Sequence, residues 1–120
     1  MLLKNNQTDF HKDLKKYMDQ FVHFVYDVTK NFPKDEQFGV TSQLRRAALS
    51  VILNYIEGYA RKRKAVMNNF FEISYGSLKE SKYLIYFSYK RNYLTLSQYD
   101  KGLNLSEIIG KMLWGILVKL

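Results

Sequence analysis

Residues 32–58, FPKDEQFGVTSQLRRAALSVILNYIEG, decide how the rest of the chain is read. The run begins as a charged turn built on Pro33, the only proline present. From about Val40 it becomes a helix that is apolar around most of its circumference, apart from one narrow polar seam. Arg46, Ser50, Asn54, Glu57 and Arg61 follow one another at spacings of 4, 4, 3 and 4. At roughly 100° per residue those side chains share a sector of about 80°. Leu49, Leu53 and Ile56 lie outside the arc that a single core needs. A helix apolar over that much of its surface is buried on more than one side, and self-association through it is the simplest expectation.

Three further helices flank this one. Phe10, Leu14, Tyr17, Phe21, Phe24 and Val28 form a heptad seam, which predicts a first helix from about Phe10 to Lys30 with Asp9 as its N-cap. The second helix should start between Val40 and Ser42 and reach at least Gly58. A third, from about Val66 to Asn92, carries Met67, Phe71, Ser74, Leu78, Ser81, Ile85 and Ser88 on one seam, widened by Phe70, Ile73, Leu84 and Phe87. Its serines and Gly76 are expected to admit a neighbouring helix closely. The fourth is expected to open on a Ser97–Asp100 capping box. It continues through Leu105, Ile109, Met112 and Ile116, with Ile108, Leu113, Leu117 and Leu120 broadening its face. Gly102, Gly110 and Gly115 each weaken that helix by up to ~1 kcal/mol unless another helix lies close. Short connections make consecutive helices antiparallel neighbours, so the expected fold is an all-α, up-and-down four-helix bundle occupying residues 1–120 as one domain.

The run at 32–58 also resembles a known family. Phe32-Pro33-Lys34, Glu36, Phe38-Gly39, Thr41 to Ala48, Ser50, Asn54 and Glu57-Gly58 are similar to the four-helix-bundle intervening-sequence proteins encoded within bacterial large-subunit ribosomal RNA genes. Gly76-Ser77-Leu78 with Glu80 fits that family's third helix, and Lys111-Met112-Leu113 with Gly115 and Leu117 its fourth. Ile52 and Leu53 depart from the proline and small residues usual there, and Tyr55 and Ile56 replace a smaller pair. The resemblance implies a barrel-shaped homopentamer and carries over no established enzymatic activity, so no enzyme is expected. More distant similarity to accessory proteins of diversity-generating retroelements implies a protein partner, a reverse transcriptase.

Composition narrows the chemistry. With no cysteine, disulfides and thiolate metal sites are excluded. His11 and His23 stand twelve residues apart on one helix, about 18 Å, too far to share a metal. No metal or other cofactor is expected. No apolar run approaches the roughly 20 residues of a membrane span, and no signal-peptide pattern opens the chain, so the cytoplasm is the expected compartment. No Gly-rich phosphate loop follows a strand, and no nucleophile stands beside a plausible base. Asn54 and Glu57 read as a buried polar pair. Glu57 could be a general base, but pairing with Arg46 or Arg61 to fix helix register is the better reading.

A net charge of +8 favours polyanionic partners. Arg45, Arg46, Arg61, Lys62, Arg63 and Lys64 face a single acid, Glu57, between residues 41 and 66. Complementing the negative end of the second helix is enough to explain one or two of the four charges from Arg61 to Lys64. Tyr75, Lys79, Lys82, Tyr86, Lys90 and Tyr93 form a stripe on the third helix within about 80°. Lysine with tyrosine suits phosphate neutralisation and base stacking; the alternative is a solvated face. The expected function is nucleic-acid binding, RNA first, by a basic oligomer through Arg45, Arg61–Lys64, Lys79, Lys82, Tyr86, Lys90 and Tyr93. Arg46, Leu49, Leu53, Asn54, Ile56 and Glu57 are expected at the subunit contact. The alternative function is a scaffold for another protein.

Overall fold

The computed structural model describes residues 2–119, with side chains from Asp9 onward. Leu120, expected on the fourth helix's apolar face, lies outside them. Four helices follow in order: α1 (Leu2–Thr29), α2 (Val40–Tyr59), α3 (Lys64–Lys90) and α4 (Leu96–Leu117), with a 3₁₀ turn at Lys34–Glu36. Among the described residues there is no strand. Each helix packs on its neighbours in sequence, and α4 closes on α1. The long axis is 50 Å.

Side-chain pairs report the antiparallel register. Arg46 reaches Glu80, Ser50 bonds Ser77 at 2.7 Å, and Ser74 Oγ donates to the Val51 carbonyl at 2.6 Å. Partner numbers on α3 fall as those on α2 rise. The same holds between α3 and α4, where Lys82 meets Glu107 and Tyr75 meets Trp114.

The core follows the heptad seams with one shift. Leu14, Met18, Phe21 and Val25 are fully buried on α1, whereas Phe10, expected to begin the seam, is 38% exposed. The α3 seam stands as expected: Ser74, Ser81 and Ser88 are fully buried at seven-residue spacing between Phe71, Leu78 and Ile85. Each serine hydroxyl donates to a backbone carbonyl, so these small side chains let helices approach without stranding a polar group. Gly76 does not serve that purpose, since a Cβ there would meet nothing within 4 Å. Of the α4 glycines only Gly102 is tightly opposed, by the Phe24 ring.

Helix ends depart from expectation in four places. Asp9 lies inside α1 and cannot cap it. The α4 capping box is Thr95–Gln98, two residues before Ser97–Asp100. Both spacings fit the pattern, but the longer glutamine side chain reaches back to the cap amide at 2.9 Å. Lys64 begins α3 and does not trail α2. At the other end α3 stops at Lys90, because Asn92 takes a left-handed φ of 64°. Asn92 N donates to Tyr89 O, and Tyr93 N to Ser88 O at 2.8 Å, the paired bonds of a Schellman termination.

Candidate nucleic-acid interface

The four-residue connection between α2 and α3 concentrates charge. Arg61, Lys62, Arg63 and Lys64 are all exposed. Arg61 is held by Glu57 at 2.7 Å and lies 5.2 Å from the Phe70 ring. Lys62, Arg63 and Lys64 make no ion pair among the described residues. Lys64 opens α3, whose first turn contains no acid and whose cap, Arg63, forms no side-chain hydrogen bond. Cations at a helix N-terminus oppose the macrodipole. This arrangement is electrostatically unfavourable in the isolated chain.

The lysine–tyrosine stripe does not survive as one face. Tyr93 sits past the α3 terminus, packs at a tilt against the Phe32 ring and donates to Glu36 Oε2 at 2.8 Å. Glu36 Oε1 also accepts from Val40 N at 3.3 Å. Tyr93 is thus fastened to the turn that starts α2. Lys82 is fastened to Glu107 at 2.6 Å, and the Lys82 hydrogen bond and charge hold that carboxyl below the usual range. Lys79, Tyr86 and Lys90 remain exposed. Arg45 is likewise engaged within the fold: its Nε donates to Thr29 Oγ1 at 2.8 Å, and its guanidinium lies 4.6 Å from the Tyr26 ring.

The polar seam on α2 is shallower than its spacing implies. Glu57 is not buried; its side chain is 54% exposed, and its arginine partner is Arg61, one turn on, while Arg46 pairs with Glu80 at 3.7 Å. Exposed pairs of this kind contribute about 0.2–1 kcal/mol, too little to fix register. Asn54 is half-buried and donates to Ser50 O and Oγ, both at 2.9 Å. Leu53 is 55% and Ile56 46% exposed, beside half-buried Leu49 and Ile52, so α2 presents an apolar face away from its own core.

Two aromatic features escaped the sequence reading. His11, Tyr55 and Tyr59 cluster where α1 meets α2, with the Tyr55 hydroxyl hydrogen-bonded to His11 Nδ1. Burial lowers the His11 pKa from 6.5, and burial followed by Tyr59 raises that of Tyr55 from 10.0. The other is Trp114, 55% exposed on α4. Its spacing puts it opposite the α4 apolar seam, on the face of Glu107 and Lys111, and the fold sets it beside Tyr75 of α3.

A family model for the 23S rRNA-intervening sequence proteins matches residues 12–115. The fold is similar to the crystal structure of a protein with unknown function from the S23 ribosomal protein family of Bacteroides thetaiotaomicron. The TM-score is 0.80 at 23% identity, covering 87% of this chain and 97% of that one. Comparison with curated proteins gives no match. The family match extends from α1 to α4, through the turn and polar seam described above, and the chain belongs to the 23S rRNA-intervening sequence protein family.

Proposed function

We propose that this chain is a non-catalytic, basic protein that self-associates into a closed homo-oligomer, a pentamer by family resemblance, and binds nucleic acid, RNA in particular. The observation that carries the reading is the turn of Lys62, Arg63 and Lys64. It is exposed, without acidic partners among the described residues, and set against the positive end of α3. Polyanion binding there replaces repulsion with attraction. Ring assembly would multiply the turn and raise the local field.

Binding measured across a salt series tests this. Affinity should fall steeply with salt, by about 0.7 in the log–log slope for each phosphate neutralised on a single strand and about 0.9 on duplex DNA. Changing Lys62, Arg63 and Lys64 to Ala should flatten the slope. Absence of binding at low salt overturns the reading. The alternative reading is a scaffold whose assembled surface is presented to another protein. That reading takes over if the wild type oligomerises yet binds no nucleic acid.

A further inference from the structure

Two hollows of about 180 and 410 Å³ lie along the α3–α4 seam, and both are lined by Tyr75, Lys79 and Trp114. These three side chains form a ridge between the hollows. The Tyr75 and Trp114 rings are 5.5 Å apart and tilted by 60°, so Tyr75 does not cover the indole face to face. More than half of the Trp114 surface is open to solvent. Gly76 lines the larger hollow and leaves it open, since even a Cβ there would touch nothing within 4 Å.

The charges are distributed unevenly. Lys79, Lys82 and Lys111 line the smaller hollow around one carboxylate, Glu107. Lys82 satisfies that carboxylate at 2.6 Å. Lys79 and Lys111 are left in excess on this side, and both are exposed. Lys79 Nζ rests 5.2 Å from the centre of the Tyr75 ring, at the ridge itself. The larger hollow has one acid, Glu72, with the Asn68 amide and the apolar Leu117 beside the indole. A polyanion's phosphates fit the lysine side, and an uncharged planar group fits the other.

We infer that the α3–α4 groove seats single-stranded nucleic acid, with one base stacked on Trp114 and flanking phosphates on Lys79 and Lys111. The inference rests on the nucleic-acid reading above but names a different surface from the basic turn. A base in a duplex has no free face for the indole, so the groove discriminates against duplex, whereas the turn does not.

Trp114 is the only tryptophan of the chain, so fluorescence excited selectively in the indole band, beyond the absorption of the ten tyrosines, reports on this groove. The full-length protein is titrated with short oligoadenylate RNA, and with its duplex, while binding is followed independently by anisotropy of labelled RNA. The single strand should quench the emission and saturate with the anisotropy; the duplex should bind without quenching. Trp114→Ala should weaken single-strand binding roughly fivefold or more, the range of losing one stacked base, and leave duplex binding unchanged. Trp114→Phe should restore most of it. Lys79→Ala with Lys111→Ala should lower the single-strand salt slope by about 1.4, two phosphates at about 0.7 each. This double variant also keeps the test decisive if Trp114→Ala misfolds.

Binding without quenching, and with wild-type slope in the lysine variant, overturns the groove while the basic turn stands. An emission change that tracks protein concentration without RNA also overturns it, because the indole then faces another copy of the chain. No binding to either RNA removes the proposed function and this inference together.

Discussion

Gly58 of α2 lies against the Phe71 ring of α3 so closely that a Cβ would sit 2.7 Å from Phe71 Cε1 and 3.0 Å from the Phe70 Cβ. The ring cannot swing aside freely, because it is buried and stacked on Tyr55 at 5.2 Å. Gly58→Ala is expected to destabilise the protein by about 1–3 kcal/mol through overpacking. Gly76→Ala should do the opposite, by up to ~1 kcal/mol, since its Cβ enters open space and helix propensity improves. Urea denaturation of the two variants checks both signs.

Leu53 and Val51 stand two residues apart on α2, one 55% exposed and the other fully buried. Leu53→Asp should therefore leave the helical fold intact by circular dichroism while dissociating the assembly by light scattering. Val51→Asp should unfold the chain. A wild type that runs as a monomer at micromolar concentration contradicts self-association through α2.

Tyr93 donates to the Glu36 carboxylate, which also accepts the Val40 amide. Tyr93→Phe keeps the ring on Phe32 and loses the hydroxyl, at an expected cost of about 1–3 kcal/mol for a hydrogen bond to a charged group. RNA affinity at fixed salt should not change. A loss of affinity with unchanged stability would restore Tyr93 to the binding surface.

His11 is less easily protonated in the folded protein than at its ordinary pKa of 6.5, because burial disfavours the cation, and Lys12 and Lys15 line the same cleft with Tyr55 and Tyr59. The unfolded chain then binds the extra proton first. The stability contributed is present above about pH 6.5 and is lost as pH falls through the lower folded value. Protonated Nδ1 also no longer accepts from the Tyr55 hydroxyl. Melting temperature should drop between neutral and mildly acidic pH, and His11→Asn should flatten that segment of the profile.

Heptad spacing of apolar residues was enough to place four helices, their order and most of the core, since burial on one face forces that period whatever the helix packs against. The α3 seam from Phe71 to Ser88 is the clearest case. The excess apolar surface of α2 was legible for the same reason, in Leu53 and Ile56. Spacing does not reveal where a helix stops or whom a polar side chain meets. Tyr93 continues the α3 stripe in sequence, yet Asn92 turns the backbone left-handed and delivers it to Glu36. Lys82 finds Glu107 across the α3–α4 interface, whereas Glu57 pairs with Arg61, one of the two arginines that the α2 seam itself offers. Trp114 lies opposite the Leu105–Ile109–Met112–Ile116 seam, on the face of Glu107 and Lys111, so its exposure follows from its helical position, while its pairing with Tyr75 of α3 is set by packing. Periodicity is a property of one helix, whereas pairs such as Lys82–Glu107 and Tyr93–Glu36 depend on the relative placement of two elements.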